Sequence, residues 1–275
     1  MGSEKITRRS AIKTTAMAMA APLLDLPLLF AQAQQPSEEM QRSINALEQI
    51  IDEHAKSHKE QEIIDEAVDR ALGKDSFKYV RRFVYDPGGS LAKQVYNAIY
   101  EHSLKGNSLQ KFEGASAITL PIQTESGIKS YVFFKESALP RSLNDKNERE
   151  AAYHEFLGKI AHENAHASIY GGRLKVQGES ASSLLKVDRE IADFLQEVQC
   201  NNEELMFLTR YWIRQEAFMS AINTFTRYIR SESERILART DITESDRKML
   251  ERQKTVAISY IDTAIRIRNS YRLQG

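Results

Sequence analysis

The chain has 275 residues, 41% of them hydrophobic, with 38 Lys and Arg against 38 Asp and Glu and a single cysteine, Cys200. This content excludes a disordered chain, and the neutral balance, with no basic block after residue 33, argues against nucleic acid as a partner. One cysteine excludes an intrachain disulfide, so stability has to come from core burial, with or without a metal.

Residues 1–33 read as an export signal. A short charged segment, "SEKITRRSAIKTT", precedes the apolar run "AMAMAAPLLDLPLLF" and the small-x-small sequence Ala31-Gln32-Ala33. Arg8-Arg9 before the apolar run resemble the twin-arginine signal of bacterial proteins exported already folded. The run is short for a bilayer span and carries Pro22, Asp25 and Pro27, so no stable membrane span is expected after its removal. The expected localisation is periplasmic or secreted. The mature chain stays nearly neutral, because Lys5, Arg8, Arg9 and Lys13 leave together with Glu4 and Asp25.

Residues 34–107 form an N-terminal segment with helical patterning. Ile44, Leu47, Ile50 and Ile51 share one face, Ile63, Ile64, Ala67 and Leu72 share another, and helix spacing returns from Leu91 to His102 after the turn Asp86-Pro87-Gly88-Gly89. The β signal is confined to "SAITLPIQT" and "IKSYVFFKE", joined by Glu125-Ser126-Gly127, which predicts a hairpin; Pro121 suits an edge position. A helix is predicted from Asp145 to Tyr170, stopped by Gly171-Gly172. Two further helices follow, "ESASSLLKVDREIADFLQEVQ" and "NEELMFLTRYWIRQEAFMSAINTFTRYIRSESERIL", and Thr243-Glu244-Ser245-Asp246 opens a last one. The fold class expected is α+β and predominantly α-helical, with residues 108–275 as the core.

Within the Asp145–Tyr170 helix stands His162-Glu163-Asn164-Ala165-His166. Positions i and i+4 share a helix face, so both imidazoles can address one ion, and Glu163 borders the same place. Two histidines suit Zn²⁺, which lowers the pKa of bound water to about 7, and Glu163 is placed to take the proton of that water as it attacks a carbonyl. His154 is rotated by roughly 80° from His162 at 3.6 residues per turn, which makes it a flanking histidine instead of a ligand. His54, His58 and His102 lie in ordinary amphipathic segments.

The H-E-x-x-H helix resembles that of the zincin metallopeptidases, with Lys159 and Ser168 polar where apolar residues are common. The resemblance implies a zincin-like fold, with the long motif helix beside a small β-hairpin or sheet and a C-terminal helical bundle. It also implies a strand along the substrate cleft, for which Ile128–Phe134 is in the right place, its edge open to a peptide.

A third zinc ligand is needed, and no histidine follows His166. A carboxylate on a later helix is therefore expected, as in the glutamate-using gluzincins. Glu216 interrupts the stripe Leu205, Leu208, Trp212, Met219 and Ile222, and "RQEAFMSA" looks like the second gluzincin helix; Asp188 and Glu190 are competing candidates. Tyr170, Tyr211, Arg214 and Tyr228 are candidate oxyanion donors.

The expected function is an exported zinc metallopeptidase acting on a peptide or protein substrate, with His162, His166 and Glu216 as ligands and Glu163 as general base. The competing readings are a helical binding protein whose metal site is structural or degenerate, and a hydrolase of another amide, such as a cell-wall crosslink. The sequence leaves the oligomeric state open.

Overall fold

A computed structural model of the chain describes residues 38–73, 78–100, 106–124, 127–140, 145–174, 176, 188–210 and 214–272. The expected export signal, the hairpin tip at 125–126, His102 and Tyr211 lie outside them. No described helix is long and apolar enough to cross a membrane.

The elements in order are α1 (Glu38–Lys56), α2 (Gln61–Leu72), β1 (Val80–Tyr85), α3 (Ser90–Tyr100), α4 (Gly106–Gly114), β2 (Ala117–Thr124) and β3 (Gly127–Phe134). A 3-10 turn at Glu136–Ala138 leads to α5 (Lys146–Tyr170), α6 (Arg189–Arg210), α7 (Gln215–Leu237) and α8 (Glu244–Arg272). The described residues are therefore mostly helical with one small sheet.

That sheet has the order β1-β3-β2, with β3 parallel to β1 and antiparallel to β2. Side chains alternate between its faces, as the strand period demands. Phe83, Tyr85, Ala117, Val132 and Phe134 join one core with α2 and α5, while Val84, Ile118, Leu120, Ile122 and Phe133 join a second core with α1 and α3. Phe134 sits edge-on to Phe156 of α5, 5.3 Å between ring centres, which fixes the motif helix against the sheet. The N-terminal segment thus shares sheet and core with the rest of the chain, and β1 is a strand that helical patterning did not anticipate.

The outer edges of the sheet differ. On β1, Gln61 of α2 stands in for a strand, donating to the Phe83 carbonyl at 3.0 Å and accepting from the Tyr85 amide at 2.9 Å, so this edge is closed. On β2, the Lys135 amide donates to the Ser116 carbonyl at 2.9 Å. The alternation of an antiparallel ladder then turns the backbone groups of Ala117, Thr119 and Pro121 away from β3. Pro121, which lacks an N–H, loses no ladder bond there. Ile128–Phe134, the expected cleft strand, is instead central and offers no free edge.

Helix α5 starts where Asp145 accepts from the amides of Asn147 at 2.8 Å and Glu148 at 3.0 Å, satisfying two donors that a helix start leaves open. Asp145→Ala is expected to destabilise the chain by about 1 kcal/mol and to lower Tm by about 2–4 °C, read by calorimetry. An unchanged Tm would show that the cap is not needed to hold α5.

Candidate metal centre

From His154 to Tyr170 nearly every residue of α5 is buried, because the helix lies between the sheet on one side and α6 and α7 on the other. His162 and His166 are 5% and 2% exposed, one turn apart, with ring centres separated by 5.1 Å. Small residues at Ala161, Ala165 and Ala167 leave room for neighbouring elements.

Helix α6 runs antiparallel to α5 along this face. Glu204 and Leu208 lie against Gly158, where a Cβ would stand 3.1 Å from the Glu204 carboxylate, so glycine permits the close approach. Glu197, Cys200, Asn201 and Glu204 fall on one face of α6 by their spacing. Glu197 stands between the histidines, its Oε2 at 3.4 Å from His162 Nε2 and its Oε1 at 3.3 Å from His166 Nε2. Glu204 Oε2 lies 3.3 Å from His162 Nδ1.

These separations are those of ion pairs, but His162 Nδ1, both ring nitrogens of His166 and both oxygens of Glu197 make no hydrogen bond within the described residues. Orphaned polar atoms so deeply buried are costly, at roughly 1–3 kcal/mol each. A cation among them resolves the anomaly. Two donors about 2.05 Å from a tetrahedral ion lie about 3.3 Å apart, which matches the histidine–Glu197 separations. The Sγ of Cys200 lies near the same histidines: the donor atoms of His162, His166 and Cys200 lie within 4.8 Å of one another. Two imidazoles, a carboxylate and a thiol form a donor set suited to zinc.

The electrostatics point the same way. Glu163, Glu197 and Glu204 are 6%, 2% and 4% exposed, a formal charge of about −3 with the imidazoles neutral. Burial pushes the His162 imidazole down, yet its contacts with Glu197 and Glu204 outweigh this and hold it well above its ordinary value. Burial likewise opposes the charge of Glu197, while His166 and His162 hold its carboxyl down to about 2. Burial, reinforced by Glu197 and Glu163, pushes the Cys200 thiol up. The Glu197 carboxylate is thus stabilised by positive charge beside it, the role a divalent ion performs most strongly. Chelator-treated chain is expected to melt below zinc-loaded chain, by about 2.7 kcal/mol of stability at free zinc near 100 times Kd. Coincident melting curves would show that no ion binds the folded state.

Glu163 points from α5 towards β2, where the Thr119 hydroxyl donates to its Oε2 at 2.6 Å. Of the three motif residues, His162 and His166 face α6, while Glu163 faces β2. Glu216 does not join them. It is exposed in the first turn of α7, whose start is held to α5 by the Arg214 amide donating to His154 Nδ1 at 3.0 Å. His154 is eight residues, about 12 Å of helix, before His162. The stripe that singled out Glu216 assumed one helix through residues 202–237, whereas α6 ends at Arg210 and α7 begins at Gln215, which resets the phase. Glu197 occupies the place expected of Glu216.

Asp188 and Glu190 are also absent from the site, because both are paired with Arg239 at 2.9 Å and Glu190 also with Arg235 at 2.9 Å. Of the oxyanion candidates, Arg214 is engaged by Glu150 and Asn147. Tyr170 is stacked near His166 at 6.4 Å, and half-buried Tyr228 is stacked on Phe194 at 5.8 Å. Burial raises the Tyr228 hydroxyl well above its ordinary value, with the Glu197 charge contributing. Sequence reasoning missed Glu197, Cys200, Glu204 and Thr119. The first three carried a signal, a glutamate pair seven residues apart on one helix face with a cysteine between them.

No protein-family model, curated protein or solved structure matches the chain.

Proposed function

We propose that the chain is a zinc-dependent metallopeptidase of gluzincin type, exported to the periplasm or beyond, that hydrolyses peptide bonds. The observation that carries this reading is the pair of buried imidazoles of His162 and His166 closed over by Glu197, with His162 Nδ1 and both nitrogens of His166 lacking a hydrogen-bond partner among the described residues and Glu163 adjacent on the same helix. His162, His166 and Glu197 would hold the zinc. Bound zinc supplies a Lewis acid and lowers the pKa of its water to about 7.

The other residues act around that centre. Glu163 accepts a proton from the attacking water and later delivers it to the leaving amine. Thr119 orients the Glu163 carboxylate through its 2.6 Å hydrogen bond. Glu204 holds the far side of the His162 ring, 3.3 Å from Nδ1, and so sets its orientation.

A helical binding protein with a structural metal site is the second reading, favoured by the burial of every donor. Hydrolysis of a peptide library by zinc-loaded residues 34–275, beside Glu163→Gln, separates the two. The proposal expects cleavage that the variant loses while keeping its metal. No cleavage by either protein, with zinc bound to both, would leave the binding reading.

A further inference from the structure

We propose that Cys200 is a fourth protein donor of this centre, and that in the resting enzyme its thiolate occupies the coordination position that water must take for hydrolysis. The inference rests on the metallopeptidase reading and adds to it a built-in restraint.

Cys200 follows Glu197 by three residues and precedes Glu204 by four, so helix spacing puts it on the face that carries both carboxylates. It is 0% exposed, and its sulfur lies with the donor nitrogens of His162 and His166 inside a 4.8 Å group. Both nitrogens of His166, a side chain 2% exposed, lack a hydrogen-bond partner among the described residues. As the only cysteine, Cys200 has no disulfide to form within the chain. A buried thiol beside two imidazoles is the arrangement of a soft, four-donor zinc site, whereas a catalytic zinc keeps one position free of protein.

The chemistry balances without a redox partner. On metal binding the thiol gives its proton to solvent and a sulfur–metal bond forms in place of a water ligand. On release the thiolate would take a proton back from solvent and leave its position to water, whose proton Glu163 would then accept. His162, His166 and Glu197 remain as the permanent donors throughout. The restraint therefore acts on turnover and leaves metal retention to the other three.

The test uses cobalt in place of zinc, because a thiolate bound to Co²⁺ gives a near-ultraviolet charge-transfer band that nitrogen and oxygen donors do not. Cobalt content is measured on the same samples of residues 34–275, wild type, Cys200→Ala and Cys200→Ser, with circular dichroism to check folding. The expected result is the band in wild type, its loss in both variants with cobalt retained, and faster peptide hydrolysis by zinc-loaded Cys200→Ala than by wild type. Wild-type chain that holds cobalt without the band overturns the inference and leaves the metallopeptidase reading standing. Wild-type chain that takes up no metal overturns that reading, and the inference with it. A band that is lost without any gain in hydrolysis overturns the restraint.

Discussion

Glu197→Ala is expected to lose zinc. The side chain spans both histidines, at 3.4 Å from His162 and 3.3 Å from His166, and no other carboxylate described here stands between them. Even a residue that only orients a ligand is worth about 10–100-fold in metal affinity, so deletion of a direct donor should weaken binding by more than about 100-fold. Glu216→Ala is the matching control: an exposed residue at the start of α7 should leave metal content unchanged. Competition with a chelator of known affinity reads both. If Glu216→Ala released the metal and Glu197→Ala did not, the site as drawn from the fold would be wrong.

The second large effect is Glu163→Gln. The amide keeps the shape of the side chain and can still accept from Thr119, but it cannot take a proton from water. A general base contributes typically about 100- to 10,000-fold, and the loss should appear in kcat with metal content intact. Making the same change in Cys200→Ala chain removes any restraint by the thiolate and exposes the full ratio. The third pairing, Thr119→Val, deletes only the bond that orients Glu163 and should lower kcat by less. A Glu163→Gln enzyme as fast as wild type would exclude proton transfer by this residue.

The parts of the fold that were legible in sequence are those fixed by local chemistry. Asp145 and Gly171 mark the ends of α5 because capping needs only neighbouring amides and carbonyls. Likewise, β2 and β3 are neighbours in sequence and pair with each other, and their β-rich composition suffices to place them. Strand β1 was hidden because "VRRFVY" carries two arginines and finds its partner β3 about fifty residues later, a contact that no local pattern encodes.

The break between α6 and α7 was hidden for a related reason. Residues 209–215, "TRYWIRQ", contain no glycine or proline, yet Arg214 takes an extended backbone, φ −57° and ψ 139°. Its amide is held by His154 and its guanidinium by Glu150 and Asn147, so tertiary contacts override helix propensity there. That single break put Glu216 on the exposed first turn of α7, away from the histidines. Helical spacing located His162, Glu163 and His166 on one helix, and the lack of a later histidine together with the gluzincin resemblance called for a carboxylate from a later helix, but which carboxylate depended on the phase of a helix that the chain interrupts. Glu197 went unnoticed because α6 is buried on most sides, including at Gln196, Gln199 and Asn201, so polar residues there mark no solvent face.

The most direct measurement is the metal content of purified residues 34–275 after zinc loading and exhaustive dialysis. About one zinc per chain is predicted, because His162 Nδ1, both nitrogens of His166 and both oxygens of Glu197 are buried without a hydrogen-bond partner among the described residues. Chain that retains no zinc, yet stays folded, would contradict the metal centre and with it the proposed hydrolysis.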